Sequence, residues 1–262
     1  MKSIKARLAE GETLHGCWLN LGSSLTAEIA GLAGFDWVLV DMEHGMGNEQ
    51  DLMHQLQAIR ATPAAPLVRV ESHASQRIHR VLDLGAEGVM CPRINNLDEA
   101  REAVSGWRYP PEGKRGVSFM VPTTQYGQNF TAYQQASNDN ILGIIQVETE
   151  EVLNHLKGIV VLDGVDVQFV GPADLSMSLG VFRQYDHPRF REALTATVEA
   201  AKQAGKVAGI ILFDPDDYPV YHKMGFRLIA SGSDGDFVAD GARSIASKLA
   251  QFRGSFNNQN SL

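Results

Sequence analysis

Eight short apolar runs recur along the chain, and each is followed by a stretch whose apolar residues have helical spacing. The runs lie at residues 16–20, 37–40, 67–70, 88–91, 142–147, 167–170, 207–212 and 227–230. Apolar runs that alternate with helical segments predict parallel strands joined by crossover helices, which is an α/β fold. Eight such units are enough to close a (β/α)8 TIM barrel. An open, doubly wound sheet is the alternative.

The length of the chain fits one such barrel. It has 262 residues, and (β/α)8 barrels typically have about 250. We predict a single barrel domain over residues 1–253 and a disordered polar tail over residues 254–262, which are rich in Asn, Gln and Ser. No run approaches the roughly 20 apolar residues of a membrane helix, and the first ten residues lack the apolar core of a signal peptide. We therefore expect a cytoplasmic protein.

Charge and cysteine content restrict the partners. The net charge of -8 argues against a surface that binds nucleic acid. Cys17 and Cys91 lie inside predicted buried strands without the spacing of a zinc motif, so we interpret both as small apolar core residues. Small molecules are the expected partners.

Ionisable residues are concentrated where the apolar runs end. These residues are Asp41, Glu43 and His44 after the second run, Arg69 in the third, Glu148 after the fifth and Asp174 after the sixth. In (β/α)8 enzymes the catalytic groups lie at the C-terminal ends of the strands. The pattern therefore predicts an enzyme with its active site at that end of the barrel.

Glu148 and Asp174 are candidate ligands of a divalent metal ion. They follow consecutive strands, and Mg²⁺ needs only one or two protein carboxylates when water and substrate supply the other oxygens. Gln146 and the turn containing Pro172 and Ala173 flank the pair. The alternative is that each carboxylate caps a helix or pairs with a basic neighbour.

His44 is the candidate general base, since its imidazole titrates near neutral pH and lies at a strand end beside two acids. A carboxylate must orient such a ring, and Asp41 and Asp83 are the candidates. The alternative is an ordinary hydrogen-bonded surface histidine.

Arg69 lies within a predicted buried strand, where a guanidinium requires an anionic partner. That partner is either the substrate or a structural acid, Glu43 or Glu71. The chain has no lysine at a strand end, which excludes a Schiff-base mechanism at that position. Asp234 and Asp236 occupy the usual phosphate position of a barrel, so we expect a substrate without a phosphate group.

The segment 109–140 is too long for a simple connection. Such loops are commonly lids or contact surfaces, and we expect its larger side chains to cover a pocket or a neighbouring subunit. Those side chains are Arg115, Phe119, Tyr126, Phe130 and Tyr133.

Several ordered motifs resemble those of the metal-dependent (class II) pyruvate aldolases of the HpcH/HpaI family, whose members include 4-hydroxy-2-oxoheptanedioate aldolase and 2-dehydro-3-deoxyglucarate aldolase. The motifs are AGFDWVLVDMEH at residues 33–44, PLVRV at 66–70, RYPPEGKRG at 108–116, QVE at 146–148 and FVGPADL at 169–175. The resemblance covers most of the chain.

This resemblance implies a phosphoenolpyruvate/pyruvate-type barrel that cleaves 4-hydroxy-2-oxoacids to pyruvate, or a related 2-oxoacid, and an aldehyde. It implies that Glu148 and Asp174 bind Mg²⁺, Mn²⁺ or Co²⁺, that Arg69 holds the enolate, and that His44 acts as base with help from an acid matching Asp83. We assign Gln146, Pro172, Ala173 and Ile211 to the substrate pocket and Asp41 and Glu43 to supporting positions.

The resemblance also implies a homohexamer in which neighbouring subunits exchange the last helix and Asp83 reaches across an interface. Between Gly116 and Thr124 the chain departs from the family pattern of small residues followed by an Arg, because Phe119, Met120, Val121 and Pro122 lie there instead. An apolar lining at these residues, to which Ile211 and Leu212 would add, weakens the expectation that the aldehyde pocket accepts a second substrate carboxylate. Two other functions fit the same residues: decarboxylation of a 2-oxoacid such as oxaloacetate, and a non-catalytic protein that binds 2-oxoacids.

Overall fold

Eight parallel strands form a closed barrel, as the alternating pattern predicts. In the computed structural model, which describes residues 2–259 and the side chains of residues 2–253, each strand pairs with the next and the eighth pairs with the first. The strands are β1 Leu14–Leu19, β2 Trp37–Asp41, β3 Ala65–Arg69, β4 Gly88–Cys91, β5 Leu142–Val147, β6 Val167–Val170, β7 Val207–Leu212 and β8 Leu228–Ser233. The predicted barrel is confirmed, and only the ends of β1, β2, β3 and β8 differ, by one to three residues.

Helices follow the strands around the outside of the barrel. They are α1 Ile4–Ala9, α2 Ser24–Leu32, α3 Glu49–Ile59, α4 Ser75–Leu84, α5 Leu97–Trp107, α6 Phe130–Asn140, α7 Leu156–Val160, α8 Pro172–Ser178, α9 Pro188–Gln203, α10 Tyr218–Met224 and α11 Asp234–Gln259. The tail predicted from residue 254 begins inside α11, and residues 260–262 lie outside the described residues, so this boundary stays a prediction. None of the described helices combines the length and apolar content that a membrane crossing requires.

Apolar side chains from alternate strand positions fill the barrel. The interior set is Leu14, Trp18, Trp37, Leu39, Leu67, Met90, Leu142, Ile144, Val167, Phe169, Leu228 and Ala230. Intervening residues such as Val38 and Val40 pack outward against the helices, because successive side chains of a strand point to opposite faces. Ile4 and Leu8 of α1 join the interior set, so α1 covers the N-terminal end of the barrel.

Gly16 makes room for one of the two tryptophans of this interior. A Cβ atom at Gly16 would lie 2.2 Å from the Trp37 ring. Trp37 is fully buried, and its indole N–H donates to the carbonyl of Leu14 at 3.3 Å. A buried indole requires such a partner, so the packing of β1 against β2 depends on the absence of a side chain at residue 16.

The two cysteines belong to the core, as the sequence predicts. Cys17 and Cys91 are both buried and neither forms a disulfide. Burial raises the pKa of Cys17 to about 12 and also raises the pKa of Cys91. Thiols with such pKa values are inert at neutral pH.

Candidate active site

Polar side chains continue the interior face of the barrel at the C-terminal ends of three strands. Asp41, Arg69, Gln146 and Glu148 each lie two or four residues after an apolar residue of the interior set. Residues at this spacing share one face of a strand. The two-residue period that builds the core therefore also directs these groups toward the barrel axis.

A pocket of about 820 Å³ opens at this end of the barrel. Its lining includes the predicted site residues Asp41, His44, Arg69, Gln146, Pro172, Ala173, Asp174 and Ile211. The volume lies within the range of small-molecule sites, which is roughly 300–1,000 Å³. Glu43 and Glu148 are not among the lining residues, but Glu43 contacts Arg69 and Glu148 lies beside Gly171. Asp83 pairs with Arg115 and does not line the pocket.

Arg69 is held by two carboxylates in this chain. Its Nε and Nη2 atoms donate to the two oxygens of Asp41 at 2.9 and 2.8 Å, and Nη1 lies 3.1 Å from Glu43 Oε2. All three side chains are largely buried. A bidentate guanidinium–carboxylate pair fixes both groups in one orientation. Of the predicted structural partners, Glu43 does contact Arg69, whereas Glu71 pairs with Arg77 instead.

Asp41 was the partner that sequence reasoning missed. The parallel register places Asp41 directly beside Arg69 on the neighbouring strand, and this register could have been inferred from the apolar runs. Asp41 also accepts hydrogen bonds from the backbone N–H groups of Glu43 and His44 at 3.1 and 3.3 Å. Its carboxylate therefore organises the start of the β2–α3 loop rather than the imidazole ring of His44.

Glu148 is a deeply buried acid of the site, with a relative exposure of 4%. One of its oxygens accepts a hydrogen bond from the backbone N–H of Arg93. Arg93 has a φ of 53°, a conformation that is uncommon for a residue other than glycine. Burial, followed by the charges of Glu43 and Asp174, raises the pKa of Glu148 to about 7, against the effect of the Arg93 hydrogen bond.

Glu43 belongs to the same crowded group of acids. Burial raises the pKa of Glu43, and the charges of Asp41 and Asp174 act in the same direction. Its Oε2 atom has no hydrogen bond, because the approach of Arg69 Nη1 lacks hydrogen-bonding geometry. Asp41, Glu43 and Glu148 thus act on one guanidinium, and with Asp174 nearby the site has an excess of negative charge.

The residues present fit a divalent cation. Gln146 Oε1 is buried without a hydrogen-bond partner. A Cβ atom on Gly171 would lie 2.8 Å from the Gln146 amide nitrogen and 3.2 Å from Glu148 Oε2. The absence of a side chain on Gly171 therefore lets two oxygen-bearing side chains approach the backbone closely, and hard cations prefer oxygen ligands. Within the described residues, no three His, Cys, Asp or Glu side chains form a complete metal-binding group, so a cation here would take its other ligands from water or substrate.

Asp174 reaches the site from the first turn of α8. Pro172 occupies the start of this helix, where its missing N–H costs nothing. An acid in the first turn is favoured by the helix dipole. The charge of Asp174 acts on both Glu43 and Glu148, so the two acids are close enough to interact electrostatically, and their role as a metal-binding pair stays a prediction.

His44 lies at the rim of the pocket. Its side chain is 68% exposed, and its Nε2 atom lies 3.9 Å from Glu43 Oε1. Neither predicted orienting acid contacts the ring within this chain: Asp41 binds Arg69, and Asp83 pairs with Arg115 at 2.9 Å. Glu43 is the acid nearest to the imidazole, and sequence reasoning had placed it only in a supporting position.

The long segment after α5 does not cover this pocket within one chain. Arg115 is buried and donates to Asp83, to Tyr133 Oη and to Ser137 Oγ. Arg115 and Tyr133 therefore fasten the segment to α4, which corrects the expectation that they cover a pocket. Phe119 and Tyr126 are exposed, and their predicted contact with a neighbouring subunit stays a prediction.

The outer wall of the pocket contains residues that the sequence did not single out. The apolar ones are Trp18, Phe35, Phe169, Phe213, Pro215 and Phe237, and the acids are Asp236 and Asp240. Phe35 and Phe237 stack with their ring centroids 6.4 Å apart. These residues come from β1, β6 and α11 and from the segments before β2 and after β7, so no local motif marks them.

Asp234 fills the position where many barrels bind phosphate. Its Oδ1 atom accepts from the backbone N–H groups of Asn20 and Leu21, and Oδ2 accepts from Thr26 Oγ1 at 2.6 Å. The side chain thus occupies donors that would otherwise be available to a phosphate group. This geometry supports the expectation of a substrate without phosphate.

Comparisons with known proteins agree with these motifs. Residues 14–241 match the HpcH/HpaI aldolase/citrate lyase family. The chain is 36% identical over 251 residues to the hydroxypyruvate/pyruvate aldolase of Roseobacter denitrificans, which covers 96% of this chain and 98% of that protein. It is 37% identical over 247 residues to the 4-hydroxy-2-oxo-heptane-1,7-dioate aldolase of Shigella sonnei, with 94% of both chains covered.

A solved structure shows the same architecture. The crystal structure of an HpcH/HpaI aldolase/citrate lyase family protein from Burkholderia cenocepacia superposes with a TM-score of 0.89 and 37% identity, and covers 94% of this chain and 98% of that one. Both the sequence match and this superposition extend over nearly the whole barrel. The resemblance inferred from the motifs is confirmed, and the chain belongs to the HpcH/HpaI aldolase/citrate lyase family.

Proposed function

We propose that this carbon–carbon lyase is a divalent-metal-dependent aldolase that cleaves 4-hydroxy-2-oxoacids to pyruvate, or a related 2-oxoacid, and an aldehyde. Family membership supports the reaction class. The observation that carries the proposal is that Asp174, Arg69 and Gln146 line one pocket at the mouth of the barrel, while the charges of Asp174 and Arg69 act on the buried Glu148. A candidate cation site thus lies beside a fixed guanidinium. Both groups can bind the oxygen atoms of a 2-oxoacid.

Glu148 and Asp174 would hold the metal ion, which we assign as Mg²⁺, Mn²⁺ or Co²⁺. When bound, the ion supplies a Lewis acid that draws electrons toward the ketone oxygen of the substrate. Gln146 and Gly171 lie next to Glu148. The excess of carboxylates explains why the site would attract a cation.

Arg69 binds the negative charge that develops on the 2-oxoacid. Asp41 holds two of its nitrogens, and the third, Nη1, lies 3.1 Å from Glu43 Oε2. A guanidinium that is oriented before the substrate arrives needs no reorganisation in the transition state. We therefore assign Arg69 the contact with the developing enolate oxygen of the substrate.

His44 takes the proton of the 4-hydroxyl group in the cleavage direction. Its exposure at the rim allows the proton to pass to solvent, and a neighbouring carboxylate must orient the ring. Glu43 supplies that carboxylate within the chain, and Asp83 of a neighbouring subunit would supply another.

The aldehyde half of the pocket favours an uncharged acceptor. Among the described residues that line the pocket, Arg69 is the only arginine or lysine, and two acids already engage it. Asp236 and Asp240 add negative charge on the outer wall. A second substrate carboxylate would therefore meet repulsion, in contrast to the dioate named for the Shigella sonnei relative.

We also propose that the chain acts in the cytoplasm as a homo-oligomer, by resemblance a hexamer. Leu25, Ile29 and Leu32 form an exposed apolar stripe on α2, and Ile245 and Leu249 form another on α11. Residues spaced by three or four positions share one face of a helix. Two uncovered apolar faces on one surface support the exchange of α11 between neighbours.

The proposal is tested by pyruvate release from a panel of 4-hydroxy-2-oxoacids in the presence of Mn²⁺. We expect turnover that requires the metal, favours uncharged tails over the 1,7-dioate, and falls at least tenfold in His44→Ala. The exposed His54→Ala serves as the matched control. Oxaloacetate is measured in parallel: turnover of oxaloacetate alone would replace the aldolase by a decarboxylase. Binding of pyruvate without any turnover would indicate a non-catalytic protein.

A further inference from the structure

A second cavity lies at the N-terminal end of the barrel, opposite the candidate active site. Its volume is about 570 Å³. It is bounded by the starts of β5 and β7, by the residues preceding β6 and β8, by α1, and by the ends of α9 and α10. The cavity therefore lies between the floor of the barrel and the helices that return to it.

This cavity is strongly basic. Its cationic lining residues are Lys5, Lys202, Lys206, Lys223 and Arg227, and Asp166 is the single acid among the described lining residues. The cavity thus carries four positive charges in excess, whereas the whole chain carries a net charge of -8. A concentration of one sign of charge in a concave surface raises the local concentration of the opposite ion.

Asp166 neutralises only part of this charge. It accepts a hydrogen bond from the backbone N–H of Gly143 at 2.9 Å and lies 3.1 Å from Lys5 Nζ and 3.9 Å from Lys206 Nζ. The three other cations have no acidic side chain within ion-pair distance among the described residues. Arg227 donates instead to backbone carbonyls. Three cations therefore share one wall without a counter-charge.

We propose that this cavity binds the phosphate group of a small organic phosphate. Lysine ammonium groups act as point charges on phosphate oxygens, and several of them suit a dianion better than a single carboxylate. Leu8, Val198 and Met224 supply an apolar wall for the organic part. The opposite end of the barrel has acids where a phosphate would bind, so the chain separates a basic site from an acidic one. The proposal does not depend on the aldolase activity.

Calorimetric titration of the full chain with inorganic phosphate, at low ionic strength and with Mg²⁺ present, tests the site. We expect binding to the wild type and an affinity at least tenfold lower in the double variant Lys202→Glu/Lys223→Glu. The matched control is Lys114→Glu/Lys157→Glu, which changes the net charge equally at exposed positions away from the cavity and should alter the affinity less than twofold. Absence of binding, or equal losses in both variants, would overturn the proposal.

Asp166→Asn provides an independent arm. Asparagine keeps an acceptor for the Gly143 N–H but no longer neutralises Lys5 and Lys206, so phosphate should bind several-fold more tightly. Weaker binding in a folded Asp166→Asn protein would contradict the proposal. If this variant does not fold, the two lysine variants decide.

A phosphate ester distinguishes an organic phosphate from inorganic phosphate as the ligand of this cavity. Glycerol 3-phosphate should bind more tightly than inorganic phosphate and should lose affinity in the same lysine variant. Equal or weaker binding of the ester would show that the apolar wall has no part, and would overturn an organic phosphate as the ligand.

Discussion

At the scale of single residues, burial of the Glu148 carboxylate lowers the free energy of unfolding at neutral and higher pH. Its pKa is about 7 in the folded protein, against an ordinary value of 4.5, chiefly because the side chain is buried. Between these pH values the folded, metal-free protein binds one proton more than the unfolded chain. The free energy of unfolding therefore falls as the pH rises through this window.

Glu148→Gln should remove this penalty. At pH 8 and with chelator present, we expect the variant to be more stable than the wild type by roughly 1–3 kcal/mol, a difference that shrinks toward zero near pH 5. Urea denaturation at both pH values measures it. Glu151→Gln, an exposed change in the same loop, should have no such effect. A Glu148→Gln protein that is less stable at pH 8 would contradict the assigned pKa.

Arg69 gives a second prediction at this scale. Arg69→Lys keeps the charge but loses the bidentate contact with Asp41, so kcat for pyruvate release should fall roughly 10²-fold. Arg77→Lys, which alters an exposed pair, is the control and should retain activity. Activity of Arg69→Lys within threefold of the wild type would exclude a positioned guanidinium.

Single residues were predictable where a periodic pattern places them. The two-residue period places Asp41, Arg69 and Glu148 at strand ends on the interior face, and the structure brings them together. The period could not predict the Arg93 N–H, because that donor depends on a local backbone conformation with positive φ. Nor could it predict the exposure of the His44 ring, which depends on a loop.

At the scale of elements, one buried arginine fastens the long segment after α5 to the barrel. The Arg115 side chain is fully buried, and its guanidinium lies 4.6 Å from the Tyr109 ring centroid. It donates to Asp83 of α4 and to Tyr133 and Ser137 of α6. Two helices and the intervening loop therefore share one hydrogen-bonding centre.

Arg115→Met should destabilise the protein by roughly 3 kcal/mol, because removing one partner of a buried ion pair leaves the others unsatisfied. Thermal or urea unfolding measures the loss. Arg101→Met removes an exposed ion pair with Asp98 and should cost less than about 1 kcal/mol. Equal losses in the two variants would contradict a fastening role for Arg115.

The strands and most helices were predictable, since each has its own apolar period. The segment 109–129 was not, because it has no such period and its fold depends on distant partners such as Asp83. The sequence therefore indicated a loop that covers either a pocket or a neighbouring subunit, whereas the structure packs Arg115 and Tyr133 of this segment and α6 against α4.

At the scale of the whole molecule, charge and apolar surface are unevenly distributed. The barrel mouth is acidic, the cavity at its floor is basic, and α2 and α11 expose apolar stripes. A family resemblance predicts that a neighbouring subunit covers such stripes. The helical period predicts that these stripes exist but not which surface covers them, because the residues of a partner surface are not adjacent to them in sequence.

Leu249→Asp places a charge on the α11 stripe and should shift the protein to smaller species in sedimentation velocity experiments. Ser247→Asp makes the same addition about two residues away on another face of the helix and should leave the assembly unchanged. A monomeric wild type, or an unchanged assembly in Leu249→Asp, would contradict an interface at α11.

The central claim is that Glu148 and Asp174 hold a divalent cation. Beside this cation a 2-oxoacid undergoes either loss of a proton or cleavage of a carbon–carbon bond. Exchange of the pyruvate methyl protons with D₂O, followed by ¹H NMR, tests it without any assumption about the aldehyde. We predict exchange that requires Mg²⁺ or Mn²⁺, stops with chelator, and falls at least 10²-fold in both Glu148→Gln and Asp174→Asn. Exchange that persists at the wild-type rate after chelation, or in both variants, would contradict the account.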